Sequence, residues 1–366
     1  MIPGHAARAG HRNRVGPILA ATLATLLQSA LPPHAVAADT AITAAVPALT
    51  APKASAHRLI DVTRAGDAML AVGQQGVILR SDDGRTWQQV ASPVSTMLTR
   101  VIFTDAQHGW VLGYEDTLLH SDDGGRSWTL RHRDREGRAL YDLVFLDSQR
   151  GLAVGAYGTV LTTADGGHSW QQDSTVLGEL GMHLNVLLQM DDGSLFVAGE
   201  RGLMARSTDA GTHWQILDFP YAGTLFGARL YGDAGGVLVH GMRGRVYLAA
   251  DLAQARVMDA SAWDPYARES LEDDDAIAAR GWQRIDTPVE ESLFGSLALP
   301  DGRLLLLGVN GTVLALGGSP GTGPGLPLQL LRTPATETLS RAALFDSRVI
   351  AVGRRGVLPL LDLATP

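Results

Sequence analysis

The fold of this chain is indicated most clearly by one segment, Ser121-Asp122-Asp123-Gly124-Gly125-Arg126-Ser127-Trp128. Related segments end at Trp170 and Trp214, and a copy one residue shorter ends at Trp87. The four copies keep the pattern S-x-D-x-G-x-[ST]-W through these residues: Ser81, Asp83, Gly84, Trp87; Ser121, Asp123, Gly125, Trp128; Asp165, Gly167, Trp170; Ser207, Asp209, Gly211, Trp214. Self-similarity at a regular spacing is typical of repeat architectures, so the repeat count predicts the fold.

A glycine-containing half of the repeat continues beyond the last of these segments and raises the count to seven. Its leading glycines are residues 73, 113, 155, 199, 241, 308 and 353, which gives steps of 40, 42, 44, 42, 67 and 45 residues. This period is typical of four-stranded propeller blades. The distance from leading glycine to tryptophan is 15 residues in the second to fourth copies but 41 in the fifth. We therefore predict an insert at about 251–281, in the outer hairpin of the fifth blade.

Within one repeat the apolar residues occur in short runs separated by turn residues, as in 143–146, 151–155 and 159–162. Runs of this length predict strands, and helical periodicity is nearly absent. We predict an all-β protein, a seven-bladed β-propeller of four-stranded antiparallel blades over 58–366. The last repeat reaches the C-terminus after only three strands, so we expect residues 41–50, in an N-terminal segment of 38–57, to supply its fourth strand and close the ring.

The first 37 residues form a separate segment. Arg8, Arg12 and Arg14 precede an apolar run from 18 to 27, and Ala35-Val36-Ala37 is a small-residue cleavage pattern. These features predict a signal peptide cleaved near Ala37, and hence export to the periplasm or an equivalent lumen. An uncleaved anchor is the alternative, which the short and interrupted apolar run disfavours.

Composition narrows the class of protein further. The 366 residues are 45% hydrophobic and 19% charged, contain no cysteine and carry a formal charge of -8. These values exclude a disordered chain or a disulfide scaffold, so stability has to come from a large core. The acidic balance also disfavours nucleic acid as a partner. We expect a monomer.

The repeated segment is the Asp box, also called the BNR repeat. The chain resembles the photosystem II assembly and stability factor family, whose repeats look like L-x-x-V-x-F, then G-x-x-V-G-x-x-G-x-I-x-x-T-x-D-G-G-x-x-W. Residues 98–103, 109–113 and 118–128 follow this pattern, as do 140–145 and 151–170. The resemblance implies an exported seven-bladed propeller that assists assembly of a membrane complex in photosynthesis. It runs from about residue 58 to the C-terminus and is strongest up to Trp214.

Sialidases and related glycoside hydrolases also carry Asp boxes, and they are the alternative. Such an enzyme needs an arginine cluster, a tyrosine nucleophile with a glutamate, and an aspartic acid, or paired carboxylates across the channel. Tyr114, Tyr157 and Tyr221 are candidates only by residue type. The acid pairs Asp82-Asp83 and Asp122-Asp123 lie in the box and are expected in peripheral turns. We predict no catalytic residues and no enzymatic activity.

No cofactor or metal is predicted. His168 and His213 occupy box positions and are interpreted as turn residues, since no histidine pair has ligand spacing beside carboxylates. The acidic run from Glu272 to Asp275 lacks the alternating ligands and the glycine of a calcium loop. It is therefore interpreted as a solvated loop.

Several arginines recur at one position of the repeat. They lie between or beside the paired glycines of the later copies and comprise Arg201, Arg243, Arg245, Arg354 and Arg355. If the blades stack as predicted, these side chains gather on one face, where guanidinium groups suit carboxylate contacts and protein interfaces. The alternative is an ordinary charged surface, because the chain has a single lysine, Lys53.

Taken together, these patterns predict a non-enzymatic scaffold or assembly factor for a membrane protein complex or its assembly intermediate. Photosystem II is the partner that the resemblance implies. In a non-phototroph the partner would be another envelope complex, such as a transporter.

Overall fold

The computed structural model describes residues 45–232, 235–317 and 328–362, and its regular structure is almost entirely β-strand. The predicted signal peptide at 1–37 lies outside the described residues, as do 38–44 of the N-terminal segment. Seven antiparallel sheets follow one another along the chain. The prediction of an all-β, seven-bladed propeller is confirmed.

The first four blades are built from consecutive strands. Their bounds are β1 (Leu59–Ala65), β2 (Ala68–Gly73), β3 (Ile78–Ser81) and β4 (Gln88–Val90); β5 (Leu98–Phe103), β6 (Gly109–Gly113), β7 (Leu118–Ser121) and β8 (Thr129–His132); β9 (Leu140–Phe145), β10 (Gly151–Gly155), β11 (Val160–Thr163) and β12 (Gln171–Gln172); β13 (Leu184–Gln189), β14 (Leu195–Gly199), β15 (Met204–Ser207) and β16 (Gln215–Leu217).

The fifth and sixth blades repeat the four-stranded plan, and the seventh has three strands within the described residues. Their strands are β17 (Leu225–Leu230), β18 (Val237–Gly241), β19 (Val246–Ala249) and β21 (Gln283–Ile285); β22 (Leu293–Ala298), β23 (Leu304–Gly308), β24 (Val313–Leu316) and β25 (Leu328–Leu330); β26 (Leu339–Phe345), β27 (Arg348–Gly353) and β28 (Gly356–Asp362). A further strand, β20 (Val257–Met258), comes from the segment between β19 and β21 and pairs with β16 as a fifth strand of the fourth blade.

The second strand of each blade is the most deeply buried. All five residues of β6, β10, β14, β18 and β23 are buried. Because each sheet is covered by a neighbouring blade on both faces, this strand needs apolar residues at every position rather than at alternate ones. The core is thus a series of apolar clusters between blades, and a single blade could not bury its own faces.

Helices are short and lie in connections. In the described part of the chain, the α-helices are α1 (Val176–Leu180) and α2 (Asp274–Ala278), and single 3-10 turns occur at Ala54–Ala56, Leu252–Gln254 and Ala260–Ala262. Five further 3-10 turns are the paired-glycine turns of the repeat: Gln74–Gly76, Ala156–Gly158, Glu200–Gly202, Met242–Gly244 and Val309–Gly311. Their middle residues all have φ between 52° and 56°. The repeated glycine pair therefore specifies a repeated backbone turn.

The ring closes where the seventh blade packs on the first. Leu59 and Met69 share an apolar cluster with Phe345 and Val352. The guanidinium of Arg348 also donates to the Asp83 carbonyl oxygen at 2.6 Å. Closure therefore rests on packing between blades.

The prediction of a closing strand at 41–50 is wrong for residues 45–50, the part that the structure describes. Residues 45–50 form no strand, and the seventh sheet has three strands within the described residues. The Ala48 amide instead donates to the Ser92 carbonyl oxygen at 3.1 Å, beside the first blade. The Gln89 side chain accepts from the Ala51 amide at 2.8 Å and donates to the Leu49 carbonyl oxygen at 2.9 Å, so the backbone here is bonded to the first blade rather than to the seventh. Residues 41–44 lie outside the described residues.

Candidate docking surface

The loops of the propeller are divided between two faces. On one face, the Asp-box turns meet the hairpins that join the first and second strands: the Gly124 amide donates to Gln107 O at 3.0 Å and the Gly166 amide to Gln149 O at 2.8 Å. We call this the box face. On the other face, the paired-glycine turns meet the connections between blades, as when the Ala156 amide donates to Ala139 O at 2.8 Å. We call this the turn face.

Each Asp box is held by internal hydrogen bonds to its aspartate. In the third copy the Thr163 hydroxyl donates to Asp165 Oδ1 at 2.8 Å and accepts from the Gly167 amide at 2.9 Å. Asp165 also accepts from the amide of Ser169 at 2.9 Å and from its hydroxyl at 2.6 Å. The copies built on Asp83, Asp123 and Asp209 use their aspartates in the same way. His213 is a turn residue whose Nδ1 lies 2.6 Å from Asp209 Oδ2.

The box tryptophan packs against the preceding blade. Trp128 shares a cluster with Leu70 and Val72 of the first blade, and Trp214 with Leu152 and Val154 of the third. Trp282 occupies the corresponding place in the fifth blade, against Phe196 of the fourth. An Asp box thus fixes a turn and anchors an apolar contact between blades, which is a structural use of its residues.

The box aspartates predict a loss of stability in acid. Burial opposes ionisation of Asp165, but the hydrogen bonds from Ser169 and Thr163 outweigh it and lower its pKa to about 2. A carboxyl whose pKa is lower in the folded than in the unfolded state stabilises the fold above the unfolded value, near 3.9, and loses that contribution as the pH falls. We expect the free energy of unfolding of Asp165→Asn to fall less steeply than that of the wild type between about pH 4 and pH 2, measured by urea denaturation.

A matched variant is Asp67→Asn. The Asp67 side chain is fully exposed and lies 3.9 Å from Arg64, so its removal should leave the slope of stability against pH nearly unchanged. Equal slopes for the wild type and Asp165→Asn would contradict the prediction.

The five predicted arginines all lie in or beside turn-face loops. Arg201 and Arg243 are the middle residues of their turns, with φ of 52° and 55°. Arg201 donates to Pro265 O at 3.2 Å, and its guanidinium lies 5.0 Å from the centre of the Tyr266 ring. Arg243 is exposed in the equivalent turn of the fifth blade. The blade repeat therefore presents these guanidiniums on one face of the ring.

Three of the five arginines bind carboxylates of this chain. Arg245 donates to Glu272 at 3.0 Å, and Arg355 and Arg354 lie 2.8 Å and 3.8 Å from Glu337. The Arg354 and Arg355 side chains stay 71% and 77% exposed. The sequence did not indicate Glu272 and Glu337 as partners of these arginines, because both glutamates lie in connections remote from the glycine motif.

The insert reaches this face as well. It leaves the third strand of the fifth blade, adds β20 to the fourth blade, and brings Pro265, Tyr266 and Glu272 to Arg201 and Arg245. Glu272 also pairs with Arg284 at 2.6 Å. All four residues from Glu272 to Asp275 are exposed, as expected for a solvated segment, and Glu272 is in addition held in ion pairs.

Exposed tyrosines share the turn face. Tyr114 and Tyr157 follow the leading glycines of the second and third copies and are 45% and 57% exposed, and Tyr266 in the insert is 81% exposed. The Arg138 guanidinium lies 4.6 Å from the centre of the Tyr157 ring. Tyr221, by contrast, is buried and donates its hydroxyl to Met242 O at 3.0 Å. Position in the glycine turn was the signal that could have identified Tyr114 and Tyr157 as surface residues.

The central channel holds a chain of charges that the sequence did not reveal. Arg100 lies between two buried carboxylates, 2.9 Å from Asp142 and 3.3 Å from Asp61. The carboxylates also accept amide hydrogens from the next blade, Asp61 from Val101 and Asp142 from Leu187. Burial disfavours the charged guanidinium, but Asp142 and Asp61 outweigh it and raise the pKa of Arg100. These residues lie about one repeat apart on separate strands, so no local motif joins them.

Within the described ranges, no group of three or more histidine, cysteine or acidic side chains could hold a metal ion. In the same part of the chain, no helix is long and apolar enough to cross a bilayer.

The sheets, the box turns and the shared channel define a seven-bladed β-propeller of the Asp-box class. The family model described as "Photosynthesis system II assembly factor YCF48" matches residues 79–140 and 135–224. The resemblance to photosystem II assembly factors that the repeats predict is thereby confirmed.

Individual relatives match over shorter stretches. The photosystem II stability/assembly factor HCF136, chloroplastic, of Guillardia theta is 42% identical over 48 residues, 13% of this chain and 12% of that protein. The photosystem II assembly lipoprotein Ycf48 of Picosynechococcus is 37% identical over 46 residues, 12% of this chain and 14% of that protein. The solved structure described as "YCF48 bound to D1 peptide" covers 86% of this chain and 99% of its own, with a TM-score of 0.57 and 16% identity, and shows the shared fold.

Proposed function

We propose that this protein is an exported, non-enzymatic assembly factor whose turn face docks a segment of a membrane protein while that protein's complex is built. The observation that carries the proposal is the placing of recurrent arginines and exposed tyrosines on one face of the ring. Arginine and tyrosine are enriched at the energetic centres of protein interfaces. A related propeller is described as bound to a D1 peptide, which supports peptide docking as a use of this fold.

The chemistry of the face favours a segment that carries carboxylates. Glu272 and Glu337 already bind Arg245 and Arg355, so these guanidiniums are placed to donate hydrogen bonds to carboxylate oxygens. An incoming acidic segment would compete with them and add contacts to Arg201 and Arg243. Exposed ion pairs are individually weak, which makes such an exchange energetically small.

The proposal also includes export of the protein and the identity of the complex that it assists. The basic and apolar residues before Ala37 form the signal peptide, and one relative is described as a lipoprotein. The client is photosystem II in a phototroph, and another envelope complex such as a transporter elsewhere. The protein acts as a monomer, without nucleic acid or a cofactor.

The test is crosslinking in cells with a tagged mature protein, followed by identification of the membrane proteins that copurify. We expect one membrane complex to be captured by the wild type and its yield to fall at least about tenfold in the triple variant Arg201→Ala, Arg243→Ala, Arg354→Ala. Undiminished capture by this variant would refute docking through the turn face.

A matched triple variant carries the same change on the box face. Arg85, Arg126 and Arg150 lie in box-face loops and are exposed, so their replacement by alanine removes the same charge from the other face. This variant should capture the complex as the wild type does. Equal losses in both triple variants would show a nonspecific charge effect instead.

A sialidase-type enzyme remains the alternative, and it predicts sugar hydrolysis at the channel. The channel carboxylates Asp61 and Asp142 are both bound to Arg100 and to backbone amides, which supports a structural use. Absence of any membrane partner together with a positive glycan array would favour the alternative.

A further inference from the structure

One layer of the channel carries charged residues on one half of the ring and small or apolar residues on the other. In every blade, the first strand places a leucine opposite the leading glycine and a channel residue two positions later. In order around the ring, from the seventh blade through the first and on to the sixth, these channel residues are Arg341, Asp61, Arg100, Asp142, Val186, Gly227 and Gly295. The charges alternate over four blades, and the remaining three blades contribute small or apolar residues.

The positive charges of this layer and its surroundings outnumber the negative ones. Arg100 is matched by Asp61 and Asp142, whereas Arg341 has only a 4.0 Å contact with Asp61 among the described residues. Arg229, two positions beyond Gly227, reaches the Ser296 carbonyl oxygen at 3.3 Å and, in the described part of the chain, no carboxylate. The arginine Arg64, further along the channel, pairs with Asp67. Among the described residues, the guanidiniums of Arg100, Arg229 and Arg341 therefore share two carboxylates, those of Asp61 and Asp142.

The lowered pKa values of two channel arginines agree with this excess of positive charge. Burial, together with the charges of Arg100 and Arg229, lowers the pKa of Arg341 to about 10 despite Asp61 and Asp142. Burial and the charge of Arg100 lower the pKa of Arg229 as well. Both guanidiniums are held charged in a site that lacks enough anionic oxygen, and a bound anion would relieve this cost.

Arg229 and Arg341 both line the channel cavity, together with Ser296 of the sixth blade. Arg229 bonds the carbonyl of Ser296, and Gly295 lies against the seventh blade, where an added Cβ would come within 3.1 Å of Arg341 Cα. The surrounding channel cavity has a volume of about 600 Å³. The Cβ positions at Gly227 and Gly295 are filled by the His240 ring and the Ser340 carbonyl oxygen. The open space is therefore the channel itself, which Arg229 and Arg341 line.

We propose that the channel binds a small oxyanion, of the phosphate or sulfate kind, between Arg229 and Arg341. Guanidinium groups present paired N–H donors that suit the oxygens of such an anion. The site lies inside the ring rather than on the turn face, so it does not depend on the docking proposed above. Its occupant would neutralise the charge excess and link the fifth and seventh blades.

The test is isothermal titration of the full mature chain with inorganic phosphate at constant ionic strength. We expect saturable binding at one site, weakened at least about tenfold in the double variant Arg229→Gln, Arg341→Gln, since charged hydrogen bonds are lost. The control variant is Arg303→Gln, which removes an arginine paired with Asp301 on the surface. It should bind phosphate as the wild type does.

Absence of saturable binding to the wild type, or equal affinity in the double variant, would overturn the proposal. If the double variant does not fold, Arg229→Gln alone serves, because its described bonds go to a single carbonyl oxygen. That variant should weaken phosphate binding several-fold, and unchanged affinity would again overturn the proposal. Loss of phosphate binding with retained capture of the membrane complex would separate the channel site from the docking face.

Discussion

Replacing Gly202 by alanine is expected to lower the free energy of unfolding by about 3 to 5 kcal/mol. Gly202 has a φ of +70°, and a Cβ there would lie 1.9 Å from the carbonyl oxygen of Tyr221. The first feature disfavours any L-residue. The second forces the connection between the fourth and fifth blades to move, since the obstructing atom belongs to the backbone. Urea denaturation of the two proteins measures the difference.

Gly193→Ala is the matched control. Gly193 also has a positive φ, +81°, but nothing lies within 4 Å of an added Cβ. Its replacement should lower the free energy of unfolding by only about 1 to 2 kcal/mol, the cost of a positive φ for an L-residue. Similar losses in the two variants would show that the close approach of the backbone at Gly202 contributes little.

The same close approach recurs around the ring. An added Cβ would lie between 1.9 and 2.3 Å from a carbonyl oxygen at each equivalent glycine: Gly76, Gly158, Gly244, Gly311 and Gly356. The second glycine of the motif is therefore required by contact between a turn and the next connection, as well as by its own φ.

Replacing Trp170 by alanine is the second large effect, and we expect a loss of about 3 to 5 kcal/mol in the free energy of unfolding. The side chain is 4% exposed. Its ring lies edge-on to Trp110 of the second blade at 5.9 Å and to Phe145 at 6.0 Å. Its indole nitrogen has no hydrogen-bond partner among the described residues. The measured loss therefore reports packing between two blades.

Trp87→Ala is the comparison for this variant. Trp87 is the tryptophan of the shortened first box and is only partly buried against the cluster that joins the seventh blade to the first. Its removal should cost clearly less than that of Trp170, since less apolar area leaves water on folding. An equal or larger loss would indicate that the ring-closing contact is the weakest link of the propeller.

Much of the fold could be predicted because the repeat is local. Each Asp box closes through residues within a few positions of its aspartate, as between Asp165 and Ser169. The spacing of Gly241, Trp282 and Gly308 was sufficient to place an insert in the fifth blade. The turn face could be anticipated for the same reason, because Arg201 and Arg243 occupy one position of one repeated turn.

The predictions that failed or were missing concern contacts between distant segments. The apolar residues at 45–50 indicated a strand, but their backbone binds beside Ser92 of the first blade. The channel pairs of Arg100 join three blades, and no pattern within one repeat contains them. Glu272 and Tyr266 reach the turn face only because the insert crosses from one blade edge to the arginines of another.

By itself, the sequence determined the number of blades, the conformation of the box and glycine turns, and the face on which the recurrent arginines lie. These features depend on hydrogen bonds and backbone angles within about ten residues, which repeat wherever the motif repeats. Only the tertiary structure decided which of those arginines are paired, how the ring closes, and that Arg229 and Arg341 line one channel with too few carboxylates. These features depend on which residues of separate blades come to the same depth of one channel, and that is set by the packing of all seven sheets together.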